Sequence, residues 1–186
     1  MRQLHDPARR QNLTPEPPRF EWTPEIAGRR VLLGGCQHVQ DASVVYKHSR
    51  RVLGWSLADH MRTELVEAAV DAAVFTRGGS VAGTILHSDR GSQYTGYDMA
   101  AVCGKHRLRR SMGATGICWD KAGAESLWST VKHEYYKRHA FTTYANLTAG
   151  LDKYIRFYNH GRRHAALGMI SPIDFEIRSL ASQQSS

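Results

Sequence analysis

Between Thr63 and Leu86 the apolar residues change period once, and that change restricts the chain to a layered fold of helices on a sheet. Leu65, Val66, Ala69, Val70, Ala73 and Val74 recur at helical spacing and form one apolar stripe. Thr63 reads as the N-cap, with Glu64 in the first turn where an acid suits the helix dipole. Gly78-Gly79 ends this helix, and Val81 to Leu86 follows as a short buried strand. A second helix is expected from near Gly96 to about Lys105. A third runs from Ala122 to Tyr136 on a stripe of Ala124, Leu127, Trp128, Val131 and Tyr135. A last one spans Tyr144 to Asn159 on Leu147, Leu151, Tyr154, Ile155 and Tyr158. Upstream, Arg51 to Leu57 reads as a strand, and Val31-Leu32-Leu33 and Ser43 to Tyr46 are weaker strand candidates around Gly34-Gly35. Strands, helix, strand, helix, helix is the order of a mixed α/β layer fold.

The length of 186 residues suits one domain. Five of the six prolines (Pro7, Pro15, Pro17, Pro18 and Pro24) fall in the first 24 residues, which excludes long helices and central strands there. Residues 1–30 are therefore expected to be a poorly ordered arm, 31–178 a catalytic core and 179–186 a tail. The formal net charge is +8, and from Gly104 onward 13 Lys+Arg stand against 6 Asp+Glu. Such a balance points to a polyanionic partner or to a solvated basic surface. The three cysteines, Cys36, Cys103 and Cys118, are an odd number without a CxxC pair, as in a reduced, cytoplasmic protein. No apolar run reaches the ~20 residues of a membrane span, so no membrane partner is expected.

Two carboxylates carry the chemistry. Asp89 follows the apolar run Ile85-Leu86, where the sequence breaks into His87-Ser88-Asp89-Arg90-Gly91, and Glu125 lies beside the core stripe of the third helix; 35 residues separate them. Brought together, they would hold Mg²⁺ or Mn²⁺, since hard cations take carboxylate oxygens and substrate phosphates. Gly91 lets the backbone turn beside Asp89, and Arg90, Gln93 and Tyr94 are candidate phosphate contacts, against the plainer reading of a polar turn. His87 reads as a packed or supporting histidine. Lys132 lies seven residues after Glu125 on the same helical face and is a candidate DNA contact, or a solvated lysine. Arg162, Arg163 and His164 make a basic tip suited to phosphate, although cations at a helix end also suit the dipole.

The segments His87-Ser88-Asp89-Arg90-Gly91-Ser92-Gln93-Tyr94-Thr95, Asp120-Lys121-Ala122-Gly123-Ala124-Glu125-Ser126 and Tyr158 to Glu176 resemble, in order and spacing, the core of bacterial transposases of the insertion sequence three family, which are retroviral-integrase-like. The resemblance runs from about Ser49 to Glu176. It implies a ribonuclease-H-like α/β fold, a mixed sheet flanked by helices. It also implies metal-dependent DNA strand transfer with Asp89 and Glu125 as the second and third metal acids, and DNA ends and target DNA as partners, alongside further copies of the chain or intact transposase subunits.

The pattern breaks in two places. Asp120-Lys121 stands where the family reads Asp-Asn. The first acid, expected near Gly28, is missing, because no Asp lies between Asp6 and Asp41. Trp22-Thr23-Pro24-Glu25 imitates that motif with Glu, but Pro24 argues against a central strand. The loss of resemblance upstream of about Lys47 reads as truncation or a frame disruption. Impaired strand transfer is thus the expectation, and the alternative is a catalytically inactive remnant that binds DNA or mixes with intact subunits.

Overall fold

The computed structural model describes residues 21–33, 37–60, 62–88, 97–112 and 122–184, with backbone alone for 21–33, 37–38, 97–98, 112, 122–126 and 183–184. Strand β1 (Glu21–Leu33) pairs antiparallel with β2 (Gln37–Tyr46), which pairs antiparallel with β3 (Val52–Ala58). Helix α1 (Thr63–Thr76) leads to β4 (Ile85–Ser88), which returns parallel to β1. Helix α2 (Tyr97–Lys105) then leads to β5 (Arg109–Met112), parallel to β4. The sheet order is β3-β2-β1-β4-β5, with β1 at the centre. Helices α3 (Ala122–Glu134), α4 (Tyr144–His160) and α5 (Pro172–Gln184) follow, with 3-10 turns at Tyr136–Arg138 and Ala165–Leu167.

Alternation along β2 divides the core, because successive strand residues face opposite sides. Ala42, Val44 and Tyr46 pack with Leu53, Leu86, the α1 stripe and Met99 and Val102 of α2. Val45 and Val52 meet the other layer, formed by Leu127, Trp128 and Val131 of α3 and Leu151, Tyr154, Ile155 and Tyr158 of α4. Helices thus cover both sheet faces. Gly54 lets α1 lie against β3, since a Cβ there would run into the backbone of Ala69 and Ala73. No helix among the described residues is long and apolar enough to cross a membrane.

The helices stand close to where the periodicity puts them, with local differences. Thr63 is the first helical residue of α1 rather than its cap, which is Arg62 with no capping side chain. The buried strand is shorter and later than expected, Ile85–Ser88, with a turn before it. The helix from Tyr144 is not the last. Ser171-Pro172 starts α5: Ser171 Oγ accepts from the Asp174 N–H at 3.2 Å, the Ser171 hydroxyl donates to Asp174 Oδ2, and Pro172 occupies the first helical position. The expected core boundary at 178 falls inside this helix. Pro24, expected to disfavour a central strand, sits in β1 opposite Val44. The described ladder between β1 and β4 covers only Glu21 and Trp22, so the missing proline N–H removes no bond from it.

Candidate active site

A hydrogen bond joins the candidate helix to the sheet. Trp128 Nε1 donates to Ser43 Oγ at 3.1 Å, with both residues about 1% exposed. Trp128 is one turn beyond Glu125 on α3, and α3 packs across β1. Ser43 is also the register partner of Glu25 in β1. Next to it on the same face of β2, Asp41 is buried, and the Tyr136 hydroxyl points at Asp41 Oδ2 from 3.5 Å. Burial, and then the Asp41 charge, push the Tyr136 hydroxyl pKa far up, so it stays a donor.

The predicted site residues divide into three groups. Asp89, Arg90, Gln93 and Tyr94 lie outside the described residues; Asp89 directly follows Ser88, the last residue of β4. Glu125 lies on α3, with its side chain outside the description. Among the described residues, no group of three His, Cys, Asp or Glu side chains stands ready to hold a metal ion. Lys132 is exposed in the last turn of α3. His87 Nδ1 lies 3.1 Å from Ser111 Oγ on β5.

The basic tip is not a uniform phosphate site. Arg162 holds Glu134 through Nε at 3.1 Å and Nη2 at 2.7 Å, and the Tyr154 hydroxyl donates to the same carboxylate at 2.8 Å. The Arg162 hydrogen bonds, aided by Tyr154, outweigh desolvation and hold the Glu134 carboxyl below the usual range. His164 is buried, its ring edge-on to Tyr158 at 4.8 Å, and burial followed by the Arg162 and Arg50 charges lowers its pKa to about 4. It is a neutral packing group. Of the three, Arg163 is the exposed one.

A second buried charge cluster links the ends of the motif-bearing region. Glu176 of α5 accepts from Ser49 Oγ at 2.7 Å, from Arg51 Nη1 at 2.9 Å and from Arg77 Nη2 at 2.8 Å. Sequence reasoning assigned none of these a role, nor Ser43, and no local signal carries them, because the partners lie 85 to 127 residues apart. Ser49 and Arg51, where the resemblance begins, and Glu176, where it ends, are thus tied together in the fold.

Fold and comparisons agree. The central strand flanked by an antiparallel hairpin and parallel β4 and β5, with helices on both faces, is a ribonuclease-H-like core. Residues 31–118 and 106–172 match two family models, each described as Integrase core domain. The transposase InsF for insertion sequence IS3A of Escherichia coli (strain K12) is 37% identical over 141 residues, which are 75% of this chain and 49% of that protein. A 31 kDa protein of insertion element IS600 from Shigella sonnei is 37% identical over 125 residues, 67% of this chain and 46% of its own. Among solved structures, the catalytic core domain of BIV integrase superposes with a TM-score of 0.62 at 14% identity, over 88% of this chain and 97% of that one. The HTLV-2 integrase catalytic core domain in complex with magnesium (dimeric form) gives 0.55 at 14% identity, over 79% and 90%. The chain belongs to the integrase-core transposases of the insertion sequence three family. It spans about half the length of the curated relatives it matches.

Proposed function

We propose that this chain is a DNA strand-transfer core, with Asp89 and Glu125 as metal-holding acids and Mg²⁺ or Mn²⁺ as the ion. The observation that carries the reading is the bond from Trp128 to Ser43, which fixes α3 against the sheet one turn from Glu125. The donor chemistry fits, because two carboxylates with phosphate oxygens suit a hard divalent cation. Such an ion supplies charge relief at a phosphate under attack. Lys132 and Arg163 would grip DNA phosphates, with Arg90, Gln93 and Tyr94 contributing beside Asp89, and further copies of the chain or intact transposase subunits would complete the assembly. Arg162 serves this only indirectly, by anchoring Glu134 at the end of α3.

The absence of any Asp between Asp6 and Asp41 favours a second reading, an inactive DNA-binding remnant. Glu25 decides between them. It stands in the central strand opposite Ser43, which makes it the candidate for the third acid. The test is nicking and joining of labelled DNA in Mn²⁺ by wild type, Asp89→Asn, Glu125→Gln and Glu25→Gln. Activity lost in all three variants supports a complete three-acid site. Activity that survives Asp89→Asn and Glu125→Gln overturns the site, and a folded wild type no more active than the variants supports the remnant.

A further inference from the structure

We propose that the main DNA track of this core lies on the strip from Lys132 to His139, where α3 runs into the 3-10 turn, rather than on the basic tip after α4. The inference rests on DNA being the substrate, as proposed above. Lys132, His133, Lys137, Arg138 and His139 are all exposed. Glu134 is the single acid between Lys132 and Thr143, and its carboxylate is held by Arg162 and Tyr154. Among the described residues no carboxylate forms an ion pair with Lys132, Lys137 or Arg138. The strip is therefore a run of three permanent cations whose one internal counter-charge is neutralised by a fourth, Arg162.

The strip is also held in shape. The Lys137 ammonium lies 3.3 Å from His133 Nδ1, one turn away. His139 Nδ1 lies 2.9 Å from the Tyr135 carbonyl oxygen, a pairing that requires Nδ1 to carry the proton, and its ring packs on Tyr135 at 4.4 Å. Tyr135 in turn packs on Phe141 and Tyr154. Lys132 lies in the last turn of α3, and Lys137 and Arg138 lie in the 3-10 turn that follows it. Three exposed cations within one short segment suit a closely charged backbone, which carries one phosphate per ~3.4 Å of axis on each strand. Duplex DNA, the substrate proposed above, is a polyanion of that charge density.

The geometry gives a direct test in the slope of log Kd against log salt, which flattens by about 0.9 for each phosphate that the protein no longer neutralises. Fluorescence anisotropy with a labelled duplex would compare wild type with Lys137→Ser/Arg138→Ser and with Lys153→Ser/Arg178→Ser, which removes two exposed cations from α4 and α5. The strip variant should bind about tenfold more weakly at moderate salt and show a slope lower by nearly two, while the control stays within twofold. Equal weakening in both variants, or an unchanged slope in the strip variant, would overturn the strip and leave DNA binding intact. Absence of salt-dependent binding by wild type would overturn the strip and the DNA-acting reading together. Nicking by wild type that is sensitive to Glu125→Gln, alongside a strip variant that binds normally, would leave the active-site reading standing alone. Matching thermal melts for the three proteins confine the comparison to surface charge.

Discussion

The indole N–H of Trp128 and the hydroxyl of Ser43, 85 residues apart in sequence, meet at 3.1 Å in a buried layer beside Asp41. Neither group is an easy tenant there alone, since a buried polar group left without a partner costs about 1–3 kcal/mol. Ser43→Ala would strand the indole N–H, and Trp128→Phe would strand the hydroxyl while also weakening the packing. Each single variant should therefore unfold at lower urea, by about 1–3 kcal/mol for Ser43→Ala. The double variant should be less destabilised than the sum of the singles, because removing both partners removes the penalty as well. Additive effects in the urea midpoints would show that the two groups do not depend on each other.

Glu176 closes the second long-range link, and its environment sets a pH limit. Burial pushes its carboxyl pKa up, but the hydrogen bonds from Arg77 and Ser49, the Arg77 charge and the Arg51 bond outweigh this and hold it below the usual value. A depressed carboxylate stabilises the fold above its unfolded pKa of about 4.3 and loses that contribution as pH falls through the lower folded value. Glu176→Gln should cost about 2–3 kcal/mol at neutral pH, at or below the low end for a broken buried pair because the arginines are partly exposed. The gap to wild type should close as the pH is taken below 4. Urea melts across pH check both, and a gap that persists undiminished at acid pH would contradict the assignment.

The elements that were legible in sequence are those whose partners are local. The α1 and α4 stripes and the Gly78-Gly79 stop follow from period and backbone preference, and each is present. The β1–β2 hairpin was only half readable, because the face of β2 that meets α3 carries Asp41 and Ser43 where alternation would ask for apolar residues. Their partners, Tyr136 and Trp128, come from far along the chain. The same distance hid Arg162: two arginines and a histidine in a row read as a phosphate tip, and only the fold brings up Glu134. The proposed site rests on its motif words around Asp89 and Glu125, and not on any physical pattern strong enough to select the fold.

Glycines separate packing from propensity. Gly54→Ala would force a methyl against the backbone of Ala69 and Ala73, which cannot swing aside as a side chain can. The cost should be at least about 3 kcal/mol, the upper end for an overpacked core, with α1 lifted from β3. Gly104 in α2 has open space around its Cβ position, so Gly104→Ala should stabilise by about 0.5–1 kcal/mol through helix propensity. Thermal melts of the pair should move in opposite directions. A tolerated Gly54→Ala would mean that α1 does not sit this close to β3.

His164 gives the last and sharpest pH signature. Burial, then the nearby Arg162 and Arg50 charges, lower its pKa to about 4, against about 6.5 when unfolded. Between those values the unfolded chain binds a proton that the folded chain refuses, so stability rises with pH across that window. The contribution is complete above about pH 6.5 and is lost as pH falls toward 4, amounting to about 2–3 kcal/mol. This decline begins before that of Glu176, whose carboxyl is unaffected until lower pH. His164→Phe keeps a ring against Tyr158 but cannot titrate, so it should flatten the stability profile between pH 6.5 and about 4 while leaving the steeper acid limb in place. Superimposable profiles for wild type and variant would mean that His164 takes up its proton in the folded protein as readily as in the unfolded one, and that the tip is open to solvent and available to phosphate after all.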